Sequence, residues 1–354
     1  MGELELIEGI RSGWAGSARG VALGIGDDCA ILRPPRGHEI LVTTDFTLEG
    51  RHFRRDWHPA ESVGHRALAR GLSDLAAMGA RPLAAFLSLA LPAEQLATRS
   101  GRVWVERFFN GLRSLAELHH VSLAGGDTAQ APGEQILADI VLVGTAPAGL
   151  ALRRSTAHAG DALYVTGQLG GAAAELAAMQ ARAEEVRAAE SIPKSPGAPS
   201  IPRSLRKGRG ASPELLAAHP QMFPQPRLAV GQALLRRRLA CSAIDLSDGL
   251  STDLAHLCQE SGVGAEVTAF ALPIHPLAAQ SSDEQALKLA LNGGEDYELL
   301  FAAPPAVRVP RSIAGVRVTR IGSLLRDKTI SLVDSAGRRT PLKPGGWEHF
   351  SAKS

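Results

Sequence analysis

Two stretches rich in β-branched residues, EILVTTDFTL (39–48) and QILADIVLVGTA (135–146), read as strands, and the chain between them carries two segments of helical periodicity. In the segment from Pro59 to Gly79, the residues Val63, Ala67, Leu68, Leu72, Leu75 and Ala76 fall on one face, and Gly79 followed by Pro82 ends the helix. Residues 102–120 repeat the pattern with Val103, Val105, Phe108, Phe109, Leu112, Leu115 and Leu118. Any fold for this chain must accommodate that alternation of strands and helices from residue 1 to about residue 148.

A second unit opens near ALRRSTAHAGDALYVTG (151–167), where DALYVTG reads as a strand entering a glycine turn and Gly171–Arg187 as an alanine-rich helix. The stretch SIPKSPGAPSIPRSLRKGRGASP (191–213) is rich in Pro, Gly, Ser and basic residues and has little apolar content, so a flexible insertion at about 188–213 is expected. Order is expected to return with RLAVGQALL (227–235). The 354 residues suffice for two domains, expected at 1–148 and 149–354. With a net charge of +2 and 21% charged residues, nothing in the chain makes a polyanion-binding stripe, so no nucleic-acid partner is expected. No secretory leader and no apolar run of about 18 residues is present, which predicts no membrane partner. Cys29, Cys241 and Cys258 are odd in number and far apart, which suits a reducing cytoplasm and neither a disulfide framework nor a zinc site.

The chemistry gathers at acids. GIGDDCA (24–30) sets Asp27 and Asp28 at what reads as a buried strand end, where charge costs several kcal/mol unless it is paired or bound to a metal. TTDFTLEGRHF adds Thr43, Thr44 and Asp45; LSDLAAMGA adds Asp74; LAGGDTAQ adds Asp127. AIDLSDGLSTDL supplies Asp245, Asp248 and Asp253, and LNGGEDYELLF supplies Glu295 and Asp296. Glycine stands beside or near these acids at Gly26, Gly126, Gly249 and Gly294, as a loop wrapping a phosphate or ion requires. Singly, each acid has an ordinary reading: Asp248 as an N-cap, Asp127 as turn chemistry, Asp74 as a surface residue. Together, oxygen-only donors select a hard cation, Mg²⁺, whose remaining ligands would be nucleotide phosphates. No P-loop, dinucleotide fingerprint or protein-kinase motif set occurs, and no nucleophile–base pair is framed. Such a site suits an acceptor that is already anionic: a phosphate monoester, with its second pKa near 6, needs no general base.

The ordered set GIGDDCA, TTDFTLEGRHF, LSDLAAMGA, GGDT, RRS…GD…YVTG, DLSDGL and GGEDYEL resembles the thiamine-monophosphate kinase family, of the aminoimidazole ribonucleotide synthetase superfamily. The resemblance implies a two-domain fold, an N-terminal α/β domain that pairs with its twin in a homodimer and a C-terminal α+β domain, with ATP and several Mg²⁺ ions in the cleft between domains. It implies metal positions at Asp28, Thr43, Thr44, Asp45, Asp74, Asp127, Asp245 and Asp248, and leaves a need for K⁺ open. Nucleotide contacts fall on Gly126, Asp127 and Ser247 with Arg154 near the phosphates, substrate contacts on His52, Glu295 and Trp347, and catalysis on Asp28, Asp127, Asp248 and Arg154. The implied activity is in-line transfer of the γ-phosphoryl group of ATP to thiamine monophosphate. The alternatives are a related synthetase acting on another acceptor and a non-catalytic ATP-binding protein. For Trp347 a core anchor of the tail, and for His52 a satisfied edge histidine, stand beside the functional readings.

Overall fold

The computed structural model describes residues 2–14, 19–190 and 218–347; the expected insertion at 188–213 falls almost wholly outside them. The residues form two compact units, the first built from the chain up to Leu75 and from Arg81–Gly149, the second from Ala76–Ala80, Leu150–Gln180 and the chain from His219.

In the first unit, a four-stranded sheet runs in the order β3 (His38–Leu48), β6 (Leu137–Pro147), β4 (Arg81–Leu91), β5 (Ser122–Gln130). β3 pairs antiparallel with β6 along its whole length, from His38 opposite Pro147 to Leu48 opposite Leu137, while β4 and β5 run parallel. The crossover from β4 to β5 is made by α3 (Ala93–Ala97) and α4 (Arg99–Leu118). Thr98 caps α4 by accepting from the Gly101 amide at 3.1 Å. α2 (Ala60–Ala77) and α4 touch backbone to backbone: a Cβ on Gly64 would lie 1.9 Å from the Phe108 carbonyl oxygen, and one on Gly111 would lie 1.9 Å from that of Glu61. Val63, Ala67, Leu72, Phe108, Leu112, Leu115, Ile140 and Leu142 make the dry core. Each large side chain buried this way contributes about 1.5–3 kcal/mol. Along β3 the alternation places Leu41 and Thr47 inside and leaves Ile40, Val42 and Phe46 exposed at 51, 64 and 60%. The unit also holds α1 (Glu3–Gly13) and the short hairpin β1 (Val21–Leu23) and β2 (Ile31–Leu32).

The second unit is an eight-stranded sheet. Seven strands follow the order β14 (Arg339–Pro341), β13 (Ile330–Val333), β9 (Gly264–Thr268), β12 (Val316–Leu325), β7 (Ala162–Thr166), β10 (Leu299–Ala303), β8 (Ser242–Asp245), and β11 (Ser312–Ile313) pairs with β12. β13 lies parallel to β9 and the other pairs are antiparallel. Its helices are the first half of α5 (Gly171–Glu190, to Gln180), α6 (Leu228–Arg236), α7 (Leu250–Ser261) and α8 (Asp283–Asn292). Leu163, Val165, Ile244, Leu254, Leu257, Val267, Leu300 and Ile321 form its core. Arg227 makes a two-pronged contact with buried Glu298, at 2.7 and 2.5 Å, and Thr166 donates to the same carboxylate at 2.6 Å.

Candidate active site

In the first unit the GIGDD loop joins β1 to β2, and the structure corrects one expectation about it. Asp27 and Asp28 are exposed, because the hairpin strands flanking them are short and only partly covered. Exposed carboxylates keep their hydration, so their charge carries no burial cost. Gly26 sits at φ +129°, and the Arg11 guanidinium of α1 packs where its Cβ would be, 2.9 Å from that position. Asp27 accepts from the Asp28 amide at 2.8 Å.

β3 delivers Thr43, Thr44 and Asp45 with alternating direction. The Thr43 hydroxyl donates to Asp74 on α2, and the Thr44 hydroxyl donates to Asp139 on β6 at 2.7 Å. A threonine that spends its proton on a carboxylate keeps its lone pairs for a cation. Asp45 lies 3.5 Å from Arg70, and its pKa is raised to about 6. Burial is the largest cause, opposed by Arg70 and reinforced by the negative charges of Asp74 and Asp139. Asp139 is a member of this group that sequence reasoning missed. Its only signal is the β3–β6 register, which sets Asp139 opposite Phe46, two residues from Thr44.

Asp127 is exposed near the middle of β5, and accepts from the Thr128 amide at 2.9 Å. The glycine before it is required there: Gly126 has φ +148°, and a Cβ would lie 1.9 Å from the Leu87 carbonyl oxygen of β4. The GIGDD loop approaches this strand through Gly24, whose Cβ position is 3.9 Å from Ala124. His52 takes part in a turn after β3, accepting the Leu48 amide at Nδ1 (3.0 Å), while its carbonyl accepts from buried Arg66.

In the second unit Asp245 ends β8, buried opposite Leu299 of β10. The following loop carries Ser247 and Asp248 into α7. Asp248 is not the N-cap; Gly249 is, at φ +118°, with no side-chain cap bond. The amides of Asp248 and Gly249 instead donate to Asp253 at 3.1 and 3.0 Å. Burial, then the charge of Asp248, pushes the Asp253 pKa up to about 7, and the positive charge of Arg154 pulls the other way. Arg154 is exposed, and its carbonyl is gripped by the hydroxyls of Ser242 and Ser261 at 3.1 and 2.6 Å.

The LNGGEDYELLF stretch folds back on the same loop. The Glu295 amide donates to the Ser247 carbonyl at 2.8 Å, and Glu295 and Tyr297 both hold positive φ, +67° and +50°. Such backbone is uncommon outside glycine and gathers at functional sites. Asp296 turns away from this surface: it accepts the Gly170 and Ala172 amides at 2.6 and 3.2 Å at the start of α5, and burial raises its pKa to about 7. The tail reaches the loop from the other direction, with the Trp347 amide donating to the Asp248 carbonyl at 3.0 Å. Trp347 is 44% exposed, so it is no core anchor. The structure thus brings Thr43, Asp45 and Asp74 together in one unit. In the other it brings together Ser247, Asp248, Glu295 and Trp347, with Arg154 acting on Asp253.

Residues 26–146 match the model of the AIR synthase related protein, N-terminal domain. Over 357 aligned positions the chain is 38% identical to the thiamine-monophosphate kinase of Escherichia coli (strain K12), covering 99% of this chain and 98% of the relative. The chain belongs to the thiamine-monophosphate kinase family. Among solved members of that family, the enzyme from Stenotrophomonas maltophilia K279a superposes with a TM-score of 0.75 at 32% identity, over 96% of this chain and 98% of that one. AaThiL complexed with AMPPCP and TMP superposes with a TM-score of 0.70 at 28% identity, over 99% and 97%. Hydrogenase maturation protein HypE in complex with ATP shares the fold, with a TM-score of 0.70 at 16% identity.

Proposed function

We propose that this protein phosphorylates thiamine monophosphate to thiamine diphosphate at the expense of ATP. The observation that carries the reading is similarity to thiamine-monophosphate kinases along essentially the entire chain, together with a fold shared with AaThiL in complex with AMPPCP, an ATP analogue, and TMP. The oxygen-rich groups in both units fit that chemistry. In the first unit Asp28, Thr43, Thr44, Asp45, Asp74 and Asp127 hold Mg²⁺; in the second Asp245 and Asp248 do so. Carboxylate and hydroxyl oxygens without nitrogen or sulfur suit this ion, which when bound neutralises the charge of the transferring phosphoryl group.

Gly126 and Asp127, with Ser247, contact the nucleotide, and Arg154 offers its two-pronged guanidinium to phosphate oxygens. His52, Glu295 and Trp347 hold thiamine monophosphate; an exposed indole beside a carboxylate suits a flat cationic ring. The acceptor monoester, a dianion above pH about 6, attacks the γ-phosphorus in line. One P–O bond forms, the bond to the β-phosphate oxygen breaks, and ADP leaves. No base is needed, so Asp28, Asp127, Asp248 and Arg154 act by placement and charge.

The apolar row Ile40, Val42 and Phe46 on β3 supports a homodimer formed on that face. Among the described residues no helix is long and apolar enough to cross a membrane, and the three free cysteines, with Cys29 exposed, suit the cytoplasm. The decisive experiment is conversion of thiamine monophosphate with ATP and Mg²⁺, read by chromatography, with EDTA and K⁺-free controls and sedimentation for the dimer. Product that survives EDTA removes the metal assignment; Mg²⁺-ATP binding without product moves the search to another acceptor.

A further inference from the structure

Glu295 is held from a direction that its own motif does not reveal. Its Oε2 accepts from the Gln221 side-chain amide at 2.8 Å, across 74 residues of sequence. Gln221 is only 2% exposed. It is fixed in turn by Glu175 on α5, which is itself buried: Glu175 Oε2 accepts the Gln221 backbone amide at 2.8 Å, and its Oε1 contacts His219 Nδ1 at 2.7 Å. The Phe223 amide closes the turn on the His219 carbonyl at 2.8 Å. One buried carboxylate therefore grips both ends of the His219–Gln221 turn, and the turn presents the Gln221 side-chain amide to Glu295.

We propose that Gln221 is a positioning residue for Glu295 and, through it, sets the preference for an acceptor bearing a flat cationic or amino-substituted ring. The proposal rests on the kinase reading and on Glu295 facing the acceptor. The physical case has three parts. Glu295 is set at φ +67° with its amide on the Ser247 carbonyl, so its Cα direction is fixed before the side chain is considered. The Gln221 donor then selects one rotamer by a charge-assisted hydrogen bond in a shielded place, where such bonds are worth most. Finally, a glutamine at 221 leaves the Glu295 charge intact for the ligand, whereas a carboxylate there would repel it. The Glu295 carboxylate and the exposed indole of Trp347, whose backbones are tied to the adjacent Ser247 and Asp248 carbonyls, favour positive charge and ring donors over an uncharged ring that carries neither.

Steady-state kinetics of Gln221→Leu, Glu295→Gln and the double variant test this in the full chain. Gln221→Leu removes the donor at similar volume. Expected is a rise of about tenfold in KM for thiamine monophosphate, the loss of one hydrogen bond to a charged group, with kcat and KM for ATP changed less than about twofold. In the double variant KM should match that of Glu295→Gln alone, because Gln221 acts on the acceptor only through the Glu295 carboxylate. Glu175→Gln, which leaves the packing in place and weakens only the grip on the turn, should give a smaller rise in the same KM, and it carries the test if Gln221→Leu fails to fold. Additive effects in the double variant, an equal change in KM for ATP, or an unchanged KM for thiamine monophosphate overturns the role of Gln221 and leaves the kinase reading standing. A wild-type protein that makes no thiamine diphosphate overturns both.

Discussion

Gly346→Ala probes how the tail contributes to substrate binding. A Cβ at this position would lie 2.0 Å from the Asp248 carbonyl oxygen and 2.8 Å from Thr252 Oγ1, so the segment must retreat by more than an ångström, since neither partner is the end of a long flexible side chain. Among the described residues, three backbone amides of the segment donate to the α7 region: Gly345 to Ser251 Oγ at 3.1 Å, Gly346 to Thr252 Oγ1 at 3.1 Å, and Trp347 to the Asp248 carbonyl at 3.0 Å. At about 1 kcal/mol each, docking of the tail weakens by about 3 kcal/mol. What reaches the kinetics is smaller. It is the stacking of Trp347 on a cationic ring, worth about 1–2 kcal/mol, so KM for thiamine monophosphate should rise about tenfold while KM for ATP stays within about twofold. Because the change loosens one local segment that opens separately from the core, the melting temperature should move by no more than about 2 °C. Steady-state assays with each substrate varied in turn, and a thermal melt, read all three quantities. Trp347→Ala should reproduce the effect, and the double variant should be no worse than either. An unchanged KM for thiamine monophosphate, or an equal rise for ATP, refutes the placement of Trp347 at the acceptor.

Asp28→Asn and Asp248→Asn should each cut turnover by about two orders of magnitude or more with an unchanged circular dichroism spectrum; near-normal rates in both would remove them from the metal set. Glu298→Gln leaves the partly buried Arg227 guanidinium without its charge partner, and the urea midpoint should fall by the equivalent of about 3 kcal/mol. Asp45, Asp253 and Asp296 have folded-state pKa values near 6, 7 and 7, all above the ordinary 3.8. The native protein therefore binds more protons than the unfolded chain between about pH 4 and 7, and their contribution to stability is lost as pH rises through that window. The metal-free wild type should lose melting temperature from pH 5 to 8 relative to Asp296→Asn; parallel profiles would show that Asp296 does not titrate there.

Periodic elements were legible. The stretch 39–48 is β3, 135–146 lies almost wholly in β6, and the two amphipathic segments are α2 and α4, because their apolar spacing is strong and local. β4, RPLAAFLSLAL, gave no strand signal: it is alanine- and leucine-rich, lacks β-branched residues, and becomes a strand only through burial between β6 and β5. At the candidate site the motif residues could be named from the sequence, yet their supports could not. Asp139 meets Thr44 across 95 residues, and Gln221 meets Glu295 across 74, so no local pattern carries either contact. The exposure of Asp27 and Asp28 is hidden for a local reason: the flanking hydrophobic residues promise a burial that a two- or three-residue strand cannot supply. Asp253 and Asp296 look like their neighbours in the sequence, but both spend their oxygens on backbone amides.

The left-handed backbone of Glu295 and Tyr297 bears on how this enzyme would respond to engineering. Glycine or asparagine would occupy position 295 with less strain, so a campaign that selects only for heat resistance is drawn toward replacing Glu295. The substitution that relaxes the chain would also delete the carboxylate that Gln221 aims. Thermal screening of this protein therefore calls for a parallel activity screen, because at this residue durability and selectivity pull in opposite directions.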